Sequence, residues 1–326
     1  MQYRRLGRSG LQVSALSFGS WVTFGSQIDD GMSDRLLSMA YEAGINFFDN
    51  AEAYASGHSE EVMGQILAAK DWDRSSYVVS SKVFWGGDGP NRKGLMRKHV
   101  VEACHAALKR LRVDYLDLFF CHRPDVHTPI EETVWTMHNL IQQGKILYWG
   151  TSEWTAQQIT EAHLVARANN LIGPTMEQPQ YNMFVRRKME AEFRPLFDRF
   201  GLGTTIWSPL ASGFLTGKYL DGVPKGSRLD LENMEWLRQY TVDDQAKMRK
   251  AAAIRDVASD LGVPMAQLAI AWCLKNPDVS TVLLGATRPA QLTENLGALD
   301  VVDQLSDDVM ERLEEILGNK PTIQEY

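Results

Sequence analysis

Short apolar runs alternate along this chain with longer stretches whose apolar residues recur at helical spacing. The extended candidates are 16–19, 45–48, 77–81, 115–120, 146–150, 175–178, 203–207 and 281–284. The helical candidates are 33–44, 94–111, 130–143, 155–170, 187–200, 264–276 and 289–298. In 33–44, Leu36, Leu37, Met39, Ala40 and Ala43 share one face and Gly44 is placed as a C-cap. In 94–111, Val100, Cys104, Ala107, Leu108 and Leu111 do the same, and Lys109 and Arg110 sit near the negative helix end. Alternating β and α implies parallel strands joined by right-handed crossovers. Eight such units in 326 residues predict a closed (β/α)8 TIM barrel rather than a doubly wound sheet. No Gly-x-Gly-x-x-Gly follows an early strand, which argues against a dinucleotide-binding open sheet.

Two regions fall outside this rhythm. Residues 2–14 read as a β-hairpin placed before the barrel. Residues 208 to about 260 form a long insertion after strand seven, first a loop bearing Gly, Lys and Arg to about 230 and then helical sequence around 243–261. Long insertions at the top of a barrel commonly serve as lids or binding loops. No low-complexity linker interrupts the chain, so 1–326 reads as a single barrel domain.

Composition adds little beyond exclusions. The chain is 44% hydrophobic and 23% charged, as soluble globular proteins are. A net charge of −7 gives no reason to expect nucleic acid or an anionic membrane as partner. The three isolated cysteines, Cys104, Cys121 and Cys273, fit a reducing compartment and argue against a disulfide framework or a zinc site. No secretory h-region opens the chain, and the longest uncharged stretch, 200–217, is broken by glycines and Pro209. A cytoplasmic protein without membrane insertion is the expectation.

The chemistry lies where the strands end. Run 45–48 leads into Asp49 with Tyr54 five residues on, run 77–81 into Lys82, and run 115–120 through Cys121 into His122. A barrel places its active site at the C-terminal ends of its strands, so these residues should meet. Tyrosine, with a pKa near ~10, is a reluctant acid at neutral pH. A nearby ammonium should stabilise the phenolate, and a carboxylate should hold that ammonium in place. Tyr54 could then protonate a carbonyl oxygen while His122 donates a hydrogen bond to it. Such a site suits carbonyl reduction, with a cofactor supplying the hydride. Trp21, Trp85 and Trp154 fall on loops at the same end and are candidate walls of an apolar substrate pocket. Packing is expected instead for Trp135, Trp149 and Trp272, and no histidine shows metal-ligand spacing.

Ordered motifs carry a further signal: GSWVTFG at 19–25, GINFFDNAEAY at 44–54, SKVFWGG at 81–87, RPD at 123–125, YWGTS at 148–152, WSPLA at 207–211, GKY at 217–219 and LLGAT at 283–287. With them the chain resembles the aldo-keto reductase superfamily over nearly its whole length, most closely the branch of voltage-gated potassium channel β-subunits and their bacterial relatives. The resemblance implies an NADPH-dependent aldehyde or ketone reductase. On it, Asp49, Tyr54, Lys82 and His122 match the catalytic tetrad, with Tyr54 as the acid. Ser152 and Gln178 match residues that bind the nicotinamide carboxamide, and Trp207 matches the ring beneath the nicotinamide. Trp21 falls on the cofactor side of the pocket. Ser208, Leu210, Ser212, Lys218 and Arg228 match positions at the pyrophosphate and ribose. Thr287, Gln291, Glu294 and Asn295 match the adenosine end, with Arg288 placed for the 2′-phosphate of NADPH or NADP+. Pro289 suits a helix start whose free N–H groups would favour that anion.

The chain departs from the channel subunits at two positions. They commonly carry Asn where this chain has His122, and Arg where it has Glu153. His122 points to an ordinary reductase, while an acid at 153 could change substrate preference or cofactor affinity or could equally point into solvent. The alternative function is an NADPH-sensing regulatory subunit of a membrane protein with slow reductase activity. The expected partner is a small-molecule carbonyl substrate. Both a monomer and a homo-oligomer, as in the tetrameric rings of the channel subunits, are compatible with the sequence.

Overall fold

The computed structural model describes residues 1–21, 23–230 and 232–323, without the side chains of residues 228 and 232–235. The described chain divides into two compact units. The first comprises Met1–Pro179, Glu192–Ile206 and Asp278–Leu292, and the second Gln180–Ala191, Trp207–Pro277 and Thr293–Tyr326.

The first unit opens with an antiparallel pair, β1 (Tyr3–Arg5) and β2 (Gln12–Ser14), the expected hairpin. Eight parallel strands then close into a barrel: β3 (Leu16–Gly19), β4 (Phe47–Asp49), β5 (Val78–Val83), β6 (Leu116–Cys121), β7 (Ile146–Ser152), β8 (Met176–Gln178), β9 (Gly203–Ile206) and β10 (Thr281–Leu284). Strand β10 pairs with both β3 and β9 and closes the ring. Parallel strands covered on both faces read as continuous apolar runs, and all six residues of β6 are buried. Register aligns the strand ends: Gly19 lies beside Asp49, Val83 beside Cys121, and Ser152 beside Gln178. Asp49, Lys82, His122, Ser152 and Gln178 therefore share one rim.

The helices of this unit include α1 (Asp30–Glu42), α2 (His58–Ala69), α3 (Arg97–Leu111), α4 (Ile130–Gln142), α5 (Ala156–Ala168) and α6 (Arg194–Phe200). Helix α2 is absent from the elements expected above. Glycines at 57 and 64 break its pattern, yet Gly64 is needed for packing: a Cβ there would run into the Arg110 carbonyl of α3. The single helix expected over 187–200 is two elements, a π-helical turn at Lys188–Glu192 and α6. Pro195 lacks an N–H and fits only the first turn of a helix, so α6 restarts there.

The second unit contains α7 (Gln245–Asp260), α8 (Met265–Lys275), the end of α9 (Pro289–Leu296), α10 (Ala298–Val301) and α11 (Asp307–Leu317). Its anchor is Arg186, 3% exposed, which pairs with both Glu190 and Glu314 and lies 5.1 Å from the centre of the Trp272 ring. The insertion is built of 3-10 turns at Ala211–Thr216, Arg228–Asp230 and Glu232–Tyr240 before α7. Among the described residues no single helix is long and apolar enough to cross a membrane.

Candidate active site

Lys82 organises the rim of the first unit. Its Nζ donates to Asp49 Oδ2 at 2.5 Å, to the Asn50 carbonyl at 2.8 Å and to Tyr54 Oη at 2.9 Å. An ammonium has three N–H donors, and here each has an acceptor. Burial pulls the Lys82 pKa down and Asp49 opposes that pull. With three acceptors around it, the charged form is the one the geometry favours. Because Tyr54 Oη accepts from Lys82, its own proton remains available to another acceptor.

Asp49 is braced in turn. Its Oδ1 accepts from Ser80 Oγ at 2.8 Å and from Gln178 Nε2 at 3.2 Å, and Gln178 Nε2 also donates to Thr205 Oγ1 at 3.2 Å. The Gln178 amide nitrogen is thus committed inside the barrel, which leaves its oxygen to accept from a ligand. Ser152 Oγ donates to the Gln178 carbonyl at 2.9 Å. A serine oxygen and a glutamine oxygen at one rim fit the donors of a nicotinamide carboxamide.

The Tyr54 pKa moves opposite to the expectation that the ammonium would lower it. Burial and then the Asp49 charge push it well above the ordinary phenol value, with only Arg123 pulling it down. The phenol therefore keeps its proton at neutral pH. His122 is shifted well below the usual histidine range by burial, Lys82 and Arg123, so it is neutral. Its Nδ1 is buried without a hydrogen-bond partner, which leaves Nε2 as the nitrogen able to meet a ligand. The Tyr54 and His122 rings stand edge-on with centroids 5.8 Å apart. Tyr54 leads into Ala55 and Ser56, both left-handed with φ of 48° and 55°. That conformation costs a non-glycine residue roughly 1–2 kcal/mol, and it occurs here directly beside the phenol.

Of the candidate wall residues, Trp85 packs edge-on against His122 at 4.9 Å and is 37% exposed. Trp21 follows β3 and is 40% exposed, whereas Trp154 is 1% exposed and buried. Glu153, next to Ser152, is half-buried with φ of 60°. Arg123 belongs to the RPD motif and follows His122 directly. Its Nη1 donates to the His122 carbonyl at 2.6 Å and to Ser152 Oγ at 3.4 Å. The signal that could have exposed it is its place directly after a strand-end histidine.

The remaining cofactor candidates fall in both units. In the first, Thr287 donates from N and Oγ1 to Gln291 Oε1 at 2.8 and 3.1 Å, and Arg288 is exposed just before α9. In the second, Trp207 follows β9 directly, and Asn182 Nδ2 holds the Ser208 carbonyl at 3.0 Å. Ser208, Ala211 and Ser212 have φ of 57°, 46° and 61°, followed by Gly213 at 88°. These left-handed residues fold the loop into a tight turn in which the N–H groups of Ala211 and Gly213 donate to the Ser208 and Leu210 carbonyls at 3.0 and 2.9 Å. Ser212 N donates to Ser208 Oγ at 3.1 Å, Leu210 is half-buried, and the exposed Lys218 lies over the Tyr219 ring at 4.9 Å. Glu294 is exposed and Asn295 buried on α9. Arg228 begins a 3-10 turn, but its side chain lies outside the described residues.

A closed parallel barrel with a buried carboxylate, ammonium and phenol chained along its C-terminal rim is the build of a barrel enzyme that handles protons. The chain belongs to the Aldo/keto reductase family, an oxidoreductase family whose model matches residues 15–318. It is 54% identical over 322 residues to a "Probable voltage-gated potassium channel subunit beta" of Oryza sativa subsp. japonica, covering 98% of each chain. A protein of the same name from Arabidopsis thaliana is 53% identical over 322 residues, again covering 98% of each.

Proposed function

We propose that this protein reduces aldehydes or ketones to alcohols with NADPH, Tyr54 being the proton donor. The observation that carries the reading is the saturated Lys82 ammonium, whose third bond makes Tyr54 Oη an acceptor and leaves the phenolic proton for a substrate. Bound NADPH would supply a hydride to the carbonyl carbon. His122 Nε2 would hold the carbonyl oxygen, and Tyr54 would protonate that oxygen as negative charge develops on it. Ser152 and Gln178 would orient the carboxamide, with Trp207 beneath the ring. Ser208, Leu210, Ser212, Lys218 and Arg228 would hold the pyrophosphate and ribose. Thr287, Gln291, Glu294 and Asn295 would hold the adenosine, and Arg288 would favour the 2′-phosphate. Replacing Tyr54 by Phe should abolish reduction of 4-nitrobenzaldehyde while NADPH affinity, read by fluorescence, stays within a few-fold. Retained turnover in that variant would remove Tyr54 from its role, and so would lost cofactor binding.

A second reading is favoured by the names of the rice and Arabidopsis relatives. It makes the protein an NADPH-sensing regulatory subunit of a membrane protein, with slow reduction. Recovery of a membrane partner in a pull-down, together with slow turnover, would support it. Rapid turnover with no such partner would reject it.

A further inference from the structure

Arg123 is the half-buried arginine beside the Tyr54 and His122 rim, and it has no carboxylate partner there. Arg74 pairs with Asp117, Arg110 with Glu60, and Arg186 with two glutamates. No described carboxylate pairs with Arg123. Its guanidinium is held nonetheless, by the His122 carbonyl and Ser152 Oγ at Nη1 and by the Trp85 ring, whose centroid is 5.2 Å from Cζ. Trp85 packs on His122 in turn, so the cation is fixed beside the residue that meets the carbonyl. With Nη1 committed, the Nε and Nη2 edge is the one left, and that edge matches a carboxylate bidentately. A charge fixed in place and left unpaired by the protein is suited to a charge on the ligand.

We propose that Arg123 selects carbonyl substrates bearing a carboxylate a few bonds from the reacting carbonyl. The proposal rests on the reductase reading and names its substrate class. Arg123 is half-buried and the Trp85 ring against it is 37% exposed, so the cation is not sealed inside the barrel. The positive charge of Arg123 is felt by Tyr54, Lys82 and His122 alike, which places it in the field of the reacting oxygen.

The test is kcat/KM with NADPH for 2-, 3- and 4-carboxybenzaldehyde, each beside its neutral methyl ester. At least one acid should exceed its ester about tenfold, equivalent to about 1.4 kcal/mol. That ratio should fall toward one in Arg123→Met, keep an intermediate value in Arg123→Lys, and shrink in the unmodified protein as salt rises. The proposal is overturned if no acid is preferred by the unmodified protein. It is equally overturned if Arg123→Met weakens NADPH binding while the ratio stays unchanged, which would assign Arg123 to the cofactor. The wild-type ratios and their salt dependence decide even where Arg123→Met does not fold. Turnover of the esters without preference for the acids would remove this inference and leave the reductase reading standing. No oxidation of NADPH by any aldehyde would remove both.

Discussion

Lys82 and Asp49 should be strongly coupled in stability as well as in chemistry. The side chains are 0% and 3% exposed and meet at 2.5 Å, so each is the main compensation for the other's burial. In Lys82→Met the Asp49 carboxylate keeps only the hydrogen bonds from Ser80 and Gln178, and a buried charge without its counter-ion costs about 3–5 kcal/mol. In Asp49→Asn the ammonium keeps the Asn50 carbonyl and Tyr54 Oη and loses its charge partner, at a cost of about 2–3 kcal/mol. The double variant buries neither charge, so its loss should be close to the larger single loss rather than the sum. The coupling energy is then about 2–3 kcal/mol. Urea unfolding at pH 7 measures it, with far-UV circular dichroism and tryptophan fluorescence required to give coincident transitions. Additive losses, with coupling under about 0.5 kcal/mol, would refute the buried ion pair and with it the charged state assigned to Lys82.

Acidification should destabilise the protein in part through His163. Its ring is stacked on Phe200 at 4.1 Å, and burial with the nearby Arg167 charge lowers its pKa to about 4. The unfolded chain takes up this proton near pH 6.5 and the folded chain does not, so stability is full above pH 6.5 and falls between there and pH 4. At pH 5 the loss from this group is about 2 kcal/mol, and His163→Phe should flatten the urea midpoints between pH 7 and 5. An unchanged slope would reject the assignment. Gly64→Ala, normally a gain of about 0.5–1 kcal/mol inside a helix, should instead cost about 2 kcal/mol or more. The added methyl meets the Arg110 backbone, which cannot yield as a side chain could. A raised melting temperature would contradict that packing.

The barrel was legible because its strands are buried on both sides and so appear as unbroken apolar runs. Bounds shifted by a residue or two, as at 45–48, where the observed strand is Phe47–Asp49. Helix α2 escaped because Gly64 serves close packing against α3, a demand set by a distant segment and invisible in local pattern. The meeting of Asp49, Lys82 and His122 was legible once strand order was fixed, since parallel register leaves their ends on one rim. The direction of the Tyr54 shift was not. It depends on how far burial and the Asp49 charge outweigh a neighbouring ammonium, and neither can be read from spacing. Arg123 escaped for a related reason: its significance lies in the carboxylate it does not meet.

The electrostatic state of the rim changes what His122 can tell. Lys82 and Asp49 cancel, His122 is neutral, and the Arg123 charge lies beside His122. That balance favours negative charge developing on a bound carbonyl oxygen, while burial and Asp49 keep the Tyr54 proton in place until it does. A neutral imidazole offers that oxygen a single N–H, and the asparagine that the resemblance implies at this position in channel subunits would offer a neutral amide N–H in its place. The two side chains are therefore close in function as donors, and His122 alone separates a reductase from a regulatory subunit only weakly. The chain from Asp49 through Lys82 to Tyr54 weighs more, because sensing a bound nucleotide needs no buried ammonium holding a protonated phenol toward a ligand. Reduction uses a proton donor aimed at the ligand, which that bond to Tyr54 provides, and so the phenol variant at Tyr54 tests the function more sharply than any change at His122.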